Sequence, residues 1–391
     1  MGPLAGISVV EFAGIGPTPF VALLLSDLGA DVITIDRVPS ADGGTPDDLV
    51  RMTTGGLGRG RRSVAVDLKS PGGIETVLEL LKNADGLIEG YRPGVMERLG
   101  LGPEVCLAQN PRLVFGRMTG WGQDGDLAQR AGHDLNYIAV AGVLHHIGGR
   151  DQAPTVPLNL IGDFGGGGLL LAFGMVAAML EARNSGRGQV VDASMAEGSA
   201  LLMTMMYELS GRGMWDHDRE SNMNDGGAHF YSVYATSDDK YVAVAAMEPK
   251  FYANLLSALG LDGRDLPDQW DRSQWPALRE VFAEVFRTRT RDAWTALLED
   301  TDSCVTPVLS MLEAPSHRHN VSRNAFITVD DITQPAPAPR FSRTPTQVRR
   351  GVAEPGQHSV EVLREAGIDE ARIDELLASG SIASTNQEVT A

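Results

Sequence analysis

Apolar and polar positions set out a regular alternation at the start of the chain. Residues 6–36 read as the strand GISVVEF, the turn GIGPTP, the apolar helix FVALLLSDLG ended by Gly29, and the strand ADVITIDR. The rhythm returns in the strand SVAVDL, the helix PGGIETVLELLKNA, the strand DGLIEG and the strand within NPRLVFGRMTGWG. Strands alternating with helices predict a doubly wound α/β sheet. Between Gly132 and Gly168 the pattern predicts an apolar strand that ends at Asp163. There a helix begins, with Asp163 as its N-cap, four glycines behind it and LLLAFGMVAAMLEA as its body. Residues 224–251 alternate like two paired strands around a DD turn and open a smaller domain. A helical stretch over 252–300 follows, then the proline-rich return QPAPAPRFSRTPT. The tail carries two short amphipathic helices parted by Gly367.

Composition narrows the function classes. The chain has 391 residues, 43% hydrophobic and 21% charged, as in a soluble globular enzyme of about two domains. Its net charge of −18 argues against nucleic-acid or anionic-membrane binding, so an anionic ligand would need a local basic pocket. The longest apolar run, Leu169 to Leu180, is broken by Gly174 and reads as a core helix rather than a bilayer span. Cys106 and Cys304 lie far apart, which fits a reducing compartment. With no secretory signal visible, the expectation is a cytoplasmic protein.

Several chemistries fail on spacing. Gly14 and Gly16 follow a strand, but Pro19 stands where a dinucleotide fingerprint needs its third glycine. His145-His146 and His317-x-His319 lack a third ligand at metal-site spacing. There is no GxSxG elbow and no phosphate-binding GKS/T loop, and Asp163-Phe164-Gly165 lacks the other kinase elements. Met195, Met203, Met205 and Met206 read as core or interface filler. What remains is His133, Asp163 on a glycine-led helix start, and arginines. Arg59, Arg61 and Arg62 close the long polar loop 38–62. Arg37, Arg92 and Arg117 stand at strand ends, where open α/β sheets hold their ligands.

On these blocks the chain resembles the family III CoA-transferase superfamily, and within it the α-methylacyl-CoA racemases. The resemblance runs through VVEFAGIGPTPFVALLLSDLGADVITIDR, RSVAVDLKS, EGYRPGVMERLGLGP, MTGWGQDG, LNLIGDFGGGG, GRGQVVDASMAEGSA, CVTPVL and PAPRFSRTP. GHDLNY with His133, DGGAHFY, and AMEPKFY with Glu248 look like the racemase branch; the GGGGQ-type loop of formyl-CoA-type transferases is absent. The loop ending TTGGLGRGRRS is longer than in racemases, and His229 stands where a proline is expected.

The resemblance implies an interlaced homodimer of Rossmann-like large domains and smaller α+β domains. The division expected is 1–188 for the large CoA-binding domain, 189–223 for linker helices and 224–328 for the small domain. Residues 329–391 would return to complete the large domain. It implies that His133 and Asp163 move the α-proton of a 2-methylacyl-CoA through an enolate, interconverting its two epimers. A backbone N–H at or near Asp163 would stabilise the enolate oxygen, and Glu248 would hydrogen-bond His133. Arg37, Arg59, Arg62 and Arg92 are expected at the CoA phosphates, with Val66, Leu68 and Lys69 lining the adenine pocket. No cofactor is implied, because CoA is part of the substrate. The alternatives are a CoA-transferase using Asp163 as nucleophile and an acyl-CoA-binding protein without catalysis.

Overall fold

The computed structural model of the protein is described for residues 2–38 and 55–385, which leaves most of the 38–62 loop outside the description. Contacts divide the chain into two units. The first comprises Met1–Ala141, Leu158–Leu202 and Asn324–Ala391, and the second Gly142–Pro157 and Met203–Arg323.

The first unit is built on strands β1 (Ser8–Phe12), β2 (Asp31–Arg37), β3 (Arg62–Val66), β4 (Gly86–Glu89), β5 (Val114–Thr119) and β6 (Val190–Ser194). All pair in parallel, in the order β3-β2-β1-β4-β5-β6. Successive residues of β1 serve opposite faces, as a pleated strand requires. Val9 packs with Val21, Leu25, Leu171 and Met175 from the Pro17–Asp27 and Leu170–Ser185 helices. Val10 and Phe12 pack with Val77, Leu81, Val362, Leu363, Ile373 and Leu376 on the other side. Those last four come from the tail helices Ser359–Glu365 and Glu370–Ala378, so the tail completes this core.

In the second unit β7 (Tyr231–Ala235), β8 (Tyr241–Ala245) and β9 (Val305–Pro307) form an antiparallel sheet. The DD turn joins β7 to β8, with Asp239 in the left-handed region at φ 55°. Helices Pro249–Ala258, Trp275–Phe286 and Arg291–Leu298 bring Tyr252, Trp275, Phe282, Phe286 and Trp294 into an aromatic core with Phe230, which precedes β7. The indole N–H groups of Trp275 and Trp294 donate to the carbonyls of Gln269 and Phe286 at 2.9 and 2.7 Å, so neither aromatic buries an unsatisfied donor. Back in the first unit, β10 (Phe326–Val329) and β11 (Ile332–Pro335) form a hairpin, and β12 (Ile382–Ala383) adds antiparallel to β3.

Three features depart from the sequence reading. Residues 142–157 belong to the second unit, so the stretch between His133 and Asp163 leaves one unit and returns. Residues 189–223 are more than linker helices: the β-branched pair Val190-Val191 starts β6, which joins the large sheet beside β5. LNLIGDF forms no strand. It winds into a π-helix, Leu160–Leu169, continuous with the Leu170–Ser185 helix. The resulting 26-residue helix is long and apolar enough, by length and composition, to cross a membrane. Leu171, Met175 and Met179 on one side of it are core residues of the sheet, whereas Leu169, Phe173 and Leu180 are exposed.

Candidate active site

A cleft of about 660 Å³ opens in the first unit beyond the carboxyl ends of β1, β2, β4 and β5, and both His133 and Asp163 line it. Ligands of open α/β sheets sit beyond these strand ends, where the strand order reverses, here between β1 and β4.

Asp163 arrives on the first turn of the π-helix. The four-glycine tract has a packing reason: the Met195–Leu202 helix crosses it backbone to backbone. A Cβ on Gly198 would lie 1.8 Å from the Gly166 carbonyl oxygen, and one on Gly166 would lie 2.5 Å from the Ser199 nitrogen. Any side chain at either position would drive the two helices apart. The turn GIGPTP closes on Asp163 from another direction. Gly16, at φ 69°, comes so near that a Cβ there would lie 3.1 Å from Asp163 Oδ2. The turn that resembled part of a dinucleotide fingerprint therefore backs a carboxylate.

Asp163 is partly buried, and burial raises its pKa above the ordinary carboxylate value. The Asn159 amide, donating to Oδ2 at 3.0 Å, opposes this; the Asp134 charge adds to it, and His133 opposes it. A carboxylate held in this way is more basic than one in water, as a proton-abstracting group requires. His133 is exposed at the N-cap of the Asp134–Val140 helix, and its backbone N–H donates to Asn136 Oδ1 at 3.1 Å. Tyr137, one turn on, donates through its hydroxyl to the Gly132 carbonyl and stacks edge-on against Trp121. That bond fixes the residue immediately before His133.

The amide expected to stabilise an enolate is already taken. Asp163 N–H donates to Asp134 Oδ2 at 2.7 Å. Among the described residues, the amides of Gly132, Asp134 and Leu135, on either side of His133, have no acceptor, the last two at the start of their helix.

The arginines fall into two sets. Arg59 and Arg62, expected at phosphates, are buried instead. Arg59 pairs with Asp27 at 2.6 Å and donates to Gln334 Oε1 and the Pro335 carbonyl of the hairpin. Arg62 is held by Asp31 at 2.5 Å, Glu365 at 2.6 Å and Glu361 at 3.2 Å. Arg61 pairs with buried Glu11 at 3.0 Å. Carboxylates already occupy the donors that a phosphate would use. Arg117 is likewise tied to Glu89 and Glu97. Arg37 and Arg92, by contrast, are exposed on the cleft and form no ion pair among the described residues. Arg130 shares both properties. The sequence reading missed it because it stands in an irregular loop with no strand end to mark it. Asn159, which donates to Asp163, has no sequence signal beyond its place in LNLIGDFGGGG.

Val66 is 1% exposed in the sheet core, paired with Ile382 of β12, so its side chain lines no pocket. Leu68 packs against the same core, and Lys69 is exposed. Glu248 stands exposed in the second unit, at the N-cap of the Pro249–Ala258 helix. His229 is fully buried in that unit's aromatic core, bonded to the Tyr252 hydroxyl at 2.8 Å. Among the described residues no three His, Cys, Asp or Glu side chains are grouped to hold a metal ion.

Comparison with known proteins gives the site its context. Residues 4–359 match the model of CoA-transferase family III. The chain is 44% identical to mouse alpha-methylacyl-CoA racemase, covering 95% of this chain and 96% of the relative. It is 42% identical to the human protein of the same name, with the same coverage. A CAIB/BAIF family protein from Brucella suis shares the fold at a TM-score of 0.81 and 23% identity, covering 93% of this chain and 99% of the other. The chain belongs to CoA-transferase family III, in its α-methylacyl-CoA racemase branch.

Proposed function

We propose that the protein is an isomerase that interconverts the (2R) and (2S) forms of 2-methylacyl-CoA thioesters. The observation that carries this reading is the meeting of His133 and Asp163 in one cleft, brought there by two separate helix starts. One base removes the proton from the α-carbon, and the electron pair of the C–H bond moves into the thioester to give an enolate. The other group returns a proton to the opposite face. Burial keeps Asp163 basic enough to share this work. The enolate oxygen needs a donor, and the free amides at the start of the Asp134–Val140 helix supply it better than the occupied Asp163 amide. We assign Glu248 the orienting of the His133 ring, on the resemblance of AMEPKFY to the racemases.

CoA enters as part of the substrate, with no separate cofactor. Arg37 and Arg92, joined by Arg130, are our candidates for its phosphates, because their charges are exposed on the cleft. Lys69 is a further candidate for the nucleotide end, whereas the guanidinium groups of Arg59 and Arg62 are already paired with carboxylates. The strand order β3-β2-β1-β4-β5-β6 supports a Rossmann-like reading of the first unit. An interlaced homodimer would cover the exposed Leu169, Phe173, Leu180, Leu201 and Leu202. The net charge of −18 and the two free thiols support a cytoplasmic protein without nucleic-acid or membrane partners.

The test is to incubate the protein with a single epimer of a 2-methylacyl-CoA in D2O. Deuterium at the α-carbon with loss of chirality is expected. CoA passing to a free carboxylate without exchange would replace this reading by the transferase one, in which Asp163 attacks the thioester carbonyl.

A further inference from the structure

Asp134 is buried, with a relative exposure of 4%, and it stands between the two bases in a way the proposed reaction leaves unexplained. It follows His133 directly as the first residue of its helix. Its Oδ2 accepts the Asp163 N–H at 2.7 Å. Amides in a helix's first turn have no intrahelical acceptor, so a carboxylate from a different helix completes this one. The approach is tight enough to require glycine next to Asp163: a Cβ on Gly162 would lie 2.7 Å from Asp134 Oδ2 and 3.2 Å from Asp134 Cα. The other oxygen, Oδ1, is buried with no hydrogen-bond partner among the described residues. A buried, half-satisfied carboxylate is costly, and a purely structural cap would be served by a neutral acceptor.

We propose that Asp134 is a positioning residue for the two-base reaction, fixing Asp163 against His133 and setting the charge that Asp163 experiences. This rests on the racemase reading and deepens it. The groups acting on the Asp163 carboxylate are Asn159 from its own helix start and His133 and Asp134 from the facing one. Tyr137 lies within electrostatic reach on that facing helix. On the other side the Gly16 turn brings no charge. Of these groups only Asp134 adds to burial in disfavouring the ionised form of Asp163.

The experiment compares wild type, Asp134→Asn and Asp134→Ala. It follows the Asp163 carboxyl by 13C NMR titration, assigned with Asp163→Asn, and α-proton exchange of a 2-methylacyl-CoA against pH. Asp134→Asn keeps an acceptor oxygen and removes the charge. Asp163 should then titrate at lower pH, and the acid limb of exchange should move down with it. Asp134→Ala also loses the acceptor, and kcat should fall on the order of 10²-fold, the usual cost of misplacing reacting groups by about 1 Å. KM should stay within about threefold, since no ground-state contact is lost. Should Asp134→Ala not fold, Asp134→Asn and the titration decide. Identical titration of Asp163 in wild type and Asp134→Asn would overturn the proposal, as would wild-type kcat in Asp134→Ala. Absence of exchange in the wild type would sink the racemase reading instead, and the NMR titration would still decide the role of Asp134.

Discussion

Arg59 and Arg92 are both single positive charges in a chain of net charge −18, and both stand in glycine-containing loops. Arg59 is 3% exposed and bonded to Asp27 and the hairpin at Gln334 and Pro335, which fastens the return segment to the Pro17–Asp27 helix. Arg92 is exposed on the cleft, without a carboxylate among the described residues. Burial consumes a charge, whereas exposure at the end of a parallel strand leaves it available to a ligand. The histidines repeat the lesson. His229 is sealed in aromatic rings and its pKa is lowered by burial to about 4, while His133 lies open at a helix N-cap.

The largest effect should come from breaking a consumed charge. Arg59→Ala leaves Asp27 buried and alone, and chemical denaturation should show a loss of about 3–5 kcal/mol. Replacing both partners, Arg59→Met with Asp27→Leu, should regain most of it. If the single change proves harmless, the buried set is not structural.

His229 gives a smaller, pH-dependent effect. Its pKa in the fold, about 4, lies below the ordinary 6.5, so the unfolded chain binds more protons between those values. The contribution is complete above pH 6.5 and is lost as pH falls toward 4, amounting to as much as ~3 kcal/mol. Thermal melts should show this acid sensitivity in wild type and a weakened one in His229→Asn, which keeps a polar partner for the Tyr252 hydroxyl.

The exposed set should respond most mildly and only through binding. Arg37→Ala, Arg92→Ala and Arg130→Ala should each weaken CoA binding by roughly 1 kcal/mol, about fivefold in Kd, more so at low salt and with kcat unchanged. Titration calorimetry at two salt concentrations checks this. A stability loss without a change in Kd would place these arginines with the buried set.

Much of the architecture was legible because it rests on local periodicity. The alternation of Val9 and Val10 between faces, the Gly29 helix stop and the DD turn between β7 and β8 are all visible in short windows. His133 and Asp163 were legible through their motifs. The fate of Arg62 was not, since its partners Glu361 and Glu365 lie 299 and 303 residues away. The π-helix was hidden because LNLIGDFGGGG carries little helix propensity, and the crossing of Gly166 and Gly198 that favours it is a tertiary contact. Asp134 carries no signal of its own in the sequence, because its bond to the Asp163 amide is a contact between residues 29 apart.

In the proposed reaction His133 and Asp163 each serve one face of the same α-carbon. Each epimer of a 2-methylacyl-CoA, incubated in D2O with His133→Ala and with Asp163→Asn, tests it most directly. Each variant should lose epimerisation but still exchange the α-proton of one epimer with retained configuration, the two variants choosing opposite epimers. Epimerisation by His133→Ala at the wild-type rate, or the same epimer exchanged by both variants, would contradict it.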